Sequence, residues 1–251
     1  MPSFWVDPSE VYGDKIILLG DEAHHLSKVR RCSDGDVIDV TNGLGDFFKV
    51  RLEEITSKRV EGVIVERFFE KSESAVGLHL APSLIKGSRF DGLVEKSTEV
   101  GVKAIYPHFS HRAIPESFSK RKMIRWQRMA KAAVKQSGRS IMPEIFDPVD
   151  YSTVLKLLVE KCEIVFVGVL GERPLPESLF GMTQKPVINI GLMVGPEGGF
   201  TSDEISEAIA VGAVPFSWGN SVLRADTAGA VFSALLISLS EKELKRKEGI
   251  K

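Results

Sequence analysis

Cysteine is scarce in this chain. Cys32 and Cys162 are the only two in 251 residues, far apart and outside any CxxC or His/Cys group. That excludes a disulfide framework and a structural zinc site, and it fits a reducing compartment. An excess of one charge is missing too: 33 Lys and Arg face 34 Asp and Glu, a formal charge of -1. No whole-molecule field then draws the protein to nucleic acid or membrane, so a polyanion site must be a local cluster of cations. No apolar run approaches the roughly 20 residues of a bilayer span, and the first residues lack a basic, then apolar, leader. A soluble, cytoplasmic protein is expected. The five histidines have no metal-ligand spacing, since His24 and His25 are adjacent and cannot face one ligand from a helix; they read as structural residues or RNA contacts, and no metal is expected. G-x-S-x-G, HExxH and G-x-G-x-x-G are all absent, which leaves hydrolase, zinc-protease and dinucleotide-fold readings without support.

What is present falls into two parts. Short β-prone runs at 15–19, 37–40, 47–52 and 60–65 are separated by turn signals. Asn42-Gly43 between the second and third predicts a hairpin, because both residues favour positive φ. A small barrel closes such strands, and residues 24–31 read as a short basic helix or loop. The polar stretch 71–75 lacks periodicity and is the expected linker, which divides the chain into 1–72 and 73–251. Beyond it strands are expected at 76–81, 103–108, 163–169, 187–194 and 214–218. Helices are expected near 89–100, 120–137 and 202–211, with a closing helix from about Thr227. That alternation predicts an α/β domain with a largely parallel sheet. The charged tail 241–251 is expected to fray.

The most informative segment is Gly195-Pro196-Glu197-Gly198-Gly199-Phe200-Thr201, between an apolar strand and a helix. Its glycines permit close backbone approach, and Thr201 with Glu204 has capping-box spacing. With no Lys in the turn, a Walker-type phosphate loop is excluded; Glu197 would repel phosphate but can accept hydrogen bonds from a ribose or a neutral base. A second turn follows the next strand at Gly219, with Arg224 just before a helix that Asp226 or Thr227 could cap. Arg224 there could hold a carboxylate or stabilise charge forming on a substrate; the plainer alternatives are an exposed turn acid at Glu197 and a surface ion pair at Arg224. Two glycine turns after neighbouring strands suggest a ligand cradled by backbone groups.

Charge also concentrates locally. From Arg112 to Arg139 nine Lys or Arg face one acid, Glu116. On a helix, Arg121, Arg125, Arg128 and Lys135 share one face, and Met123, Trp126, Ala130, Ala133 and Val134 line roughly the opposite one. A cationic stripe with an apolar back suits a phosphate backbone. Lys28, Arg30 and Arg31 would extend such a surface, with Lys86 and Arg89 near the glycine turns.

Five pieces in order then carry a resemblance over nearly the whole chain: residues 25–31 with the hairpin after them, 86–102, 125–131 with 136–139, 195–199, and Val222-Leu223-Arg224-Ala225-Asp226-Thr227-Ala228. Together they resemble the RsmE family of SPOUT methyltransferases. The resemblance implies a PUA-like β-barrel for RNA followed by a C-terminal α/β knot, and a cytoplasmic homodimer with each pocket completed close to the partner. It implies methylation of uridine N3 in 16S ribosomal RNA, free or in the assembled small subunit, with S-adenosylmethionine as cofactor. By match of motif the cofactor would lie against Gly168, Val169 and Leu170; Met193, Gly195, Pro196, Glu197, Gly198 and Gly199; and Gly219, Val222, Leu223, Arg224 and Thr227. RNA would be met by Lys28, Arg30, Arg31, Lys86, Arg89, Arg121, Arg125, Arg128, Lys135 and Arg139. Arg224 and Glu197 are the expected catalytic pair, the first as electrostatic stabiliser and the second as base or positioning group. The chain departs from the family's commoner Glu at Asp226, Leu at Trp218 and Glu at Ala132. Rival readings are a SPOUT enzyme for another base or a ribose 2′-hydroxyl, and a non-catalytic RNA-binding assembly factor.

Overall fold

The computed structural model describes residues 2–113, 118–175, 188–219 and 221–247. Glu116, Val187 and the last four residues, on which expectations above fell, lie outside these. Contacts divide the chain into two units, Met1–Glu73 with Lys131–Met142, and Ser74–Ala130 with Pro143–Lys251.

In the first unit the strands are β1 (Phe4–Trp5), β2 (Val11–Tyr12), β3 (Lys15–Leu19), β4 (Val37–Thr41), β5 (Asp46–Ile55) and β6 (Arg59–Phe69), with helix α1 (Gly20–His24) after β3. They form one sheet in the order β1-β4-β5-β6-β3-β2, antiparallel except for the β1–β4 pair. Its core joins Phe4, Ile16, Leu18, Ile38, Val40, Phe48, Val50, Leu52 and Val60 into one cluster with Ala23 and Leu26. A flat sheet of six strands would hold its edges about 24 Å apart; one shared core requires it to curl. Residues 25–30 continue α1 as a π-type turn that ends on Arg31 at φ 53°. The hairpin expected at Asn42-Gly43 forms, but its loop is 42–45 and only Gly43 and Gly45 take positive φ. Asn42 acts through its side chain instead, its Oδ1 accepting from Leu44 N at 2.8 Å.

The second unit contains β7 (Gly77–Pro82), α2 (Arg89–Glu99), β8 (Ala104–Ile105), β9 (His108–Phe109), α3 (Lys120–Ser137, whose last turns belong to the first unit), β10 (Glu144–Ile145), β11 (Val149–Asp150), α4 (Tyr151–Lys161), β12 (Ile164–Gly168), β13 (Asn189–Val194), α5 (Ser202–Ala210), β14 (Val214–Phe216) and α6 (Ala225–Lys247). The parallel sheet runs β10-β8-β7-β13-β12-β14, as the alternating pattern predicts. The expected strand 103–108 is split around Pro107, and β9 pairs with β11 outside the main sheet. Helix α4 is absent from the sequence-based expectation, although Asp150 caps it by accepting from Thr153 N and Val154, Leu155 and Leu158 give it an apolar stripe.

Alternation along the strands covers both sheet faces. Val165, Val167 and Met193 pack in one cluster with α4 residues, whereas Phe166 turns toward Phe216 and, through it, Phe232 of α6. Gly229 lets α6 approach so closely that a Cβ there would meet Leu93 of α2 at 3.1 Å and Leu80 of β7 at 3.9 Å. After β14, at the sheet edge, α6 thus returns across the sheet to cover β7 and β13. Residues 176–187, between β12 and β13, lie outside the described residues, and the expected knot is not described among the others.

Candidate functional site

Register places the site. Pro82 pairs with Val194, Val194 with Gly168, and Gly168 with Phe216, so β7, β13, β12 and β14 all end on one line. The loops leaving those ends form a crevice outside the carboxyl edge of the sheet, where open parallel sheets bind ligands. Its volume is about 420 Å³, within the range of small-molecule sites.

The sequence-predicted residues converge there. Gly168, Val169, Leu170, Gly195, Pro196, Glu197, Gly198, Gly199, Val222, Leu223 and Arg224 line the crevice. Met193, Gly219 and Thr227 do not: Met193 is fully buried behind it, facing the α4 side. Two glycines matter sterically. A Cβ on Gly195 would stand 3.2 Å from the Phe200 nitrogen, and Gly199 sits at φ 66°, which disfavours any side chain. The expected cap at Asp226 or Thr227 is corrected: α6 begins at Ala225, and the Arg224 carbonyl accepts its first bond from Ala228 N at 2.8 Å.

Turn 195–199 is held from three sides. Thr201 and Glu204 form the expected capping box at the head of α5. Glu204 is buried, accepting from Thr201 N through Oε2 and from His111 N through Oε1, both at 2.8 Å. Arg112 donates from Nη1 to the carbonyls of Gly198 at 2.9 Å and Phe200 at 3.2 Å. Sequence reading counts Arg112 only as one charge in a basic stretch; no local pattern announces that it clasps a turn 86 residues away. The Glu197 carboxylate accepts from Arg89 Nη1 at 3.1 Å, both side chains partly exposed. Among the described residues no side chain pairs with Arg224, which stands exposed on the crevice wall. Behind the turn, His108 packs between Phe200 and Tyr151. Full burial lowers its pKa to about 3, so it is neutral at pH 7.

Of the expected RNA contacts, Lys28, Arg30, Arg31, Lys86, Arg121 and Arg128 are exposed, with Arg30 5.9 Å from the ring centre of Phe4. Arg125 is exposed and pairs with Asp91 at 2.6 Å. Lys135 is turned inward onto Glu22. Arg139 is corrected: it is 3% exposed, and its guanidinium meets the Glu73 carboxylate, whose side chain is 8% exposed, at 2.7 Å. A carboxylate at the end of the first unit's own chain removes that cation from solvent. The two units divide inside the expected linker 71–75, between Glu73 and Ser74, and Glu73 is tied by this contact to the first unit. Among the described residues no cluster of His, Cys, Asp and Glu could hold a metal, and no helix is long and apolar enough to cross a membrane.

A crevice at the carboxyl ends of parallel strands, walled by glycine turns, apolar side chains and the exposed Arg224, defines an α/β protein that binds a small organic ligand. A model of the RNA methyltransferase domain matches residues 72–237, and one of the RNA methyltransferase PUA domain matches 13–65. The chain belongs to this RNA methyltransferase family. It is 31% identical over 238 residues to ribosomal RNA small subunit methyltransferase E of Synechocystis sp., covering 94% of this chain and 77% of the relative. The Bacillus subtilis protein of the same name is 27% identical, covering 84% and 85%. Among solved structures, a ribosomal RNA small subunit methyltransferase E from Neisseria gonorrhoeae bound to S-adenosyl methionine aligns with TM-score 0.82 and 28% identity, over 95% of this chain and 98% of that one. A putative methyltransferase from Legionella pneumophila with bound SAM aligns with TM-score 0.78 and 26% identity, over 95% and 98%.

Proposed function

We propose that the chain transfers a methyl group from S-adenosylmethionine to N3 of a uridine in small-subunit ribosomal RNA. The observation that carries this is the crevice at four strand ends in register, lined by glycine turns in a chain of the RNA methyltransferase family. The names of the full-length relatives support the small subunit as substrate, and SAM in two structural neighbours supports the cofactor.

The pocket fits the cofactor in size and chemistry: apolar walls from Val169, Phe216 and Phe232, the glycine-rich turn 195–199, and, among the described residues, no lysine in its lining. S-adenosylmethionine supplies an electrophilic methyl group, which calls for no metal. The chain's residues then align and stabilise. Uracil N3 loses its proton as the new bond forms, and negative charge spreads onto the flanking ring oxygens. Arg224, unpaired on the crevice wall, donates to that charge. Glu197 is the proton acceptor or positioning group, its carboxylate oriented by Arg89. Arg112 keeps the 198–200 backbone in place against the cofactor.

Leu170, Trp218 and Val222 line this crevice yet are 65%, 45% and 72% exposed. An apolar rim of that kind supports completion of the pocket by a second copy of the chain. The curled sheet of the first unit, with Lys28, Arg30 and Arg31 exposed, serves RNA in this reading, and the enzyme works in the cytoplasm.

Incubation with unmodified small subunits and labelled S-adenosylmethionine, followed by digestion and nucleoside mass analysis, tests the assignment. N3-methyluridine is the expected product, and Arg224→Ala should slow its formation about a hundredfold without changing the melting temperature. Label on a ribose or another base would overturn the substrate, and no label with any subunit would overturn the reaction.

A further inference from the structure

Beside the crevice lies a second hollow that the proposed chemistry leaves unused. It opens between the loop 84–88, the first turn of α2 and the first turns of α3, with a volume of about 240 Å³. Phe90 and Trp126 form its floor, their ring centres 4.3 Å apart. Phe118 stands half-buried at its side, 5.9 Å from Trp126. Its polar lining is Ser88, Lys122, the buried Asp91 carboxylate and the exposed Arg125 guanidinium, the last two 2.6 Å apart.

We propose that this hollow binds one nucleobase of the RNA strand that enters the neighbouring crevice, a nucleotide flanking the methylated one. The proposal rests on the RNA methyltransferase reading and extends it to a subsite. Three observations carry it. A slot with aromatic walls and a volume of this size admits a single flat ring, and every base presents a π face to such walls. Asp91 and Arg125 supply one acceptor and several donors at the slot's edge, the complement of a base edge rather than of a lipid chain. The two segments that form the hollow, 84–91 and 118–126, carry six cations (Lys86, Arg89, Lys120, Arg121, Lys122, Arg125) against the single acid Asp91. That balance suits a polyanion and argues against an apolar peptide as occupant.

The loop also connects the two sites. Ser88 lines the hollow, while its neighbour Arg89 reaches Glu197 on the crevice wall. A strand whose target base enters the crevice therefore passes this loop, and splaying a neighbouring base into the slot fixes the strand's register. Recognition of unstacked bases on aromatic side chains is the usual way single-stranded RNA is read.

Two variants test the subsite without touching the crevice. Phe118→Ala removes a wall, and Ser88→Trp fills the slot from the solvent side; both positions are peripheral, so the fold should survive, which thermal melting checks. The wild-type enzyme is assayed alongside with small subunits, and S-adenosylmethionine affinity is measured by calorimetry. Both variants should raise the KM for subunits about tenfold, with kcat and cofactor Kd unchanged. As a direct readout, a short oligoribonucleotide of the target sequence carrying 5-iodouridine beside the target should photocrosslink to a peptide containing Phe118 or Trp126. Unchanged KM in both variants, or a cofactor Kd that rises in parallel, would overturn the subsite. Because the wild type must methylate in the same assay, that result is distinct from failure of the proposed reaction itself.

Discussion

Arg112 and Arg139 come from one basic stretch, yet each is bound to the fold, Arg112 from an exposed position and Arg139 from a buried one. Arg112 clasps two carbonyls of the turn that walls the crevice, so its loss should act on ligand binding. Arg112→Ala is expected to weaken S-adenosylmethionine binding about tenfold by calorimetry, with Arg112→Lys recovering part of it, since a lysine cannot reproduce the planar fork. His108 works through its neutrality. Burial between Phe200 and Tyr151 depresses its pKa to about 3 from the ordinary histidine value of 6.5. Between those limits the unfolded chain binds a proton that the folded one refuses, so stability is fully present above about pH 6.5 and falls as pH drops toward 3. His79, also lowered chiefly by burial, contributes with the same sign. Urea unfolding should therefore show roughly 2 kcal/mol less stability at pH 5 than at pH 7 from His108. His108→Phe should reduce that slope.

The turn and the helix behind it act as one element. α5 starts where Thr201 and Glu204 satisfy each other's backbone, and the same Glu204 carboxylate reaches across to His111 N. Both oxygens accept, so an amide cannot replace them: Glu204→Gln turns one acceptor into a donor facing an N–H. A loss of about 1–3 kcal/mol in urea unfolding is expected, whereas Thr201→Ala, which removes only the cap, should cost about 1 kcal/mol. Equal effects would mean that the link to His111 contributes nothing. The head of α5 was legible from residue spacing because a capping box is local. Its second partner was not, because 93 residues separate Glu204 from His111.

Across the whole molecule, the buried pair of Glu73 and Arg139 brings the chain that returns after α3 into the first unit. Glu73 also accepts from the backbone nitrogens of Ser140 and Ile141. Arg139→Met should destabilise the protein by about 3 kcal/mol in chemical unfolding, because it strands a buried carboxylate. An RNA contact at Arg139 would instead leave stability intact and weaken subunit binding. The composition, the two glycine turns, the alternation of strands with helices and the amphipathic face of α3 were decided by residues close in sequence, where periodicity and turn chemistry act. Strand order, the common line on which β7, β12, β13 and β14 end, the clasp by Arg112 and the burial of Arg139 belong to the tertiary structure alone. Each is set by which distant surfaces meet once the core excludes water, and one-dimensional spacing holds no record of that.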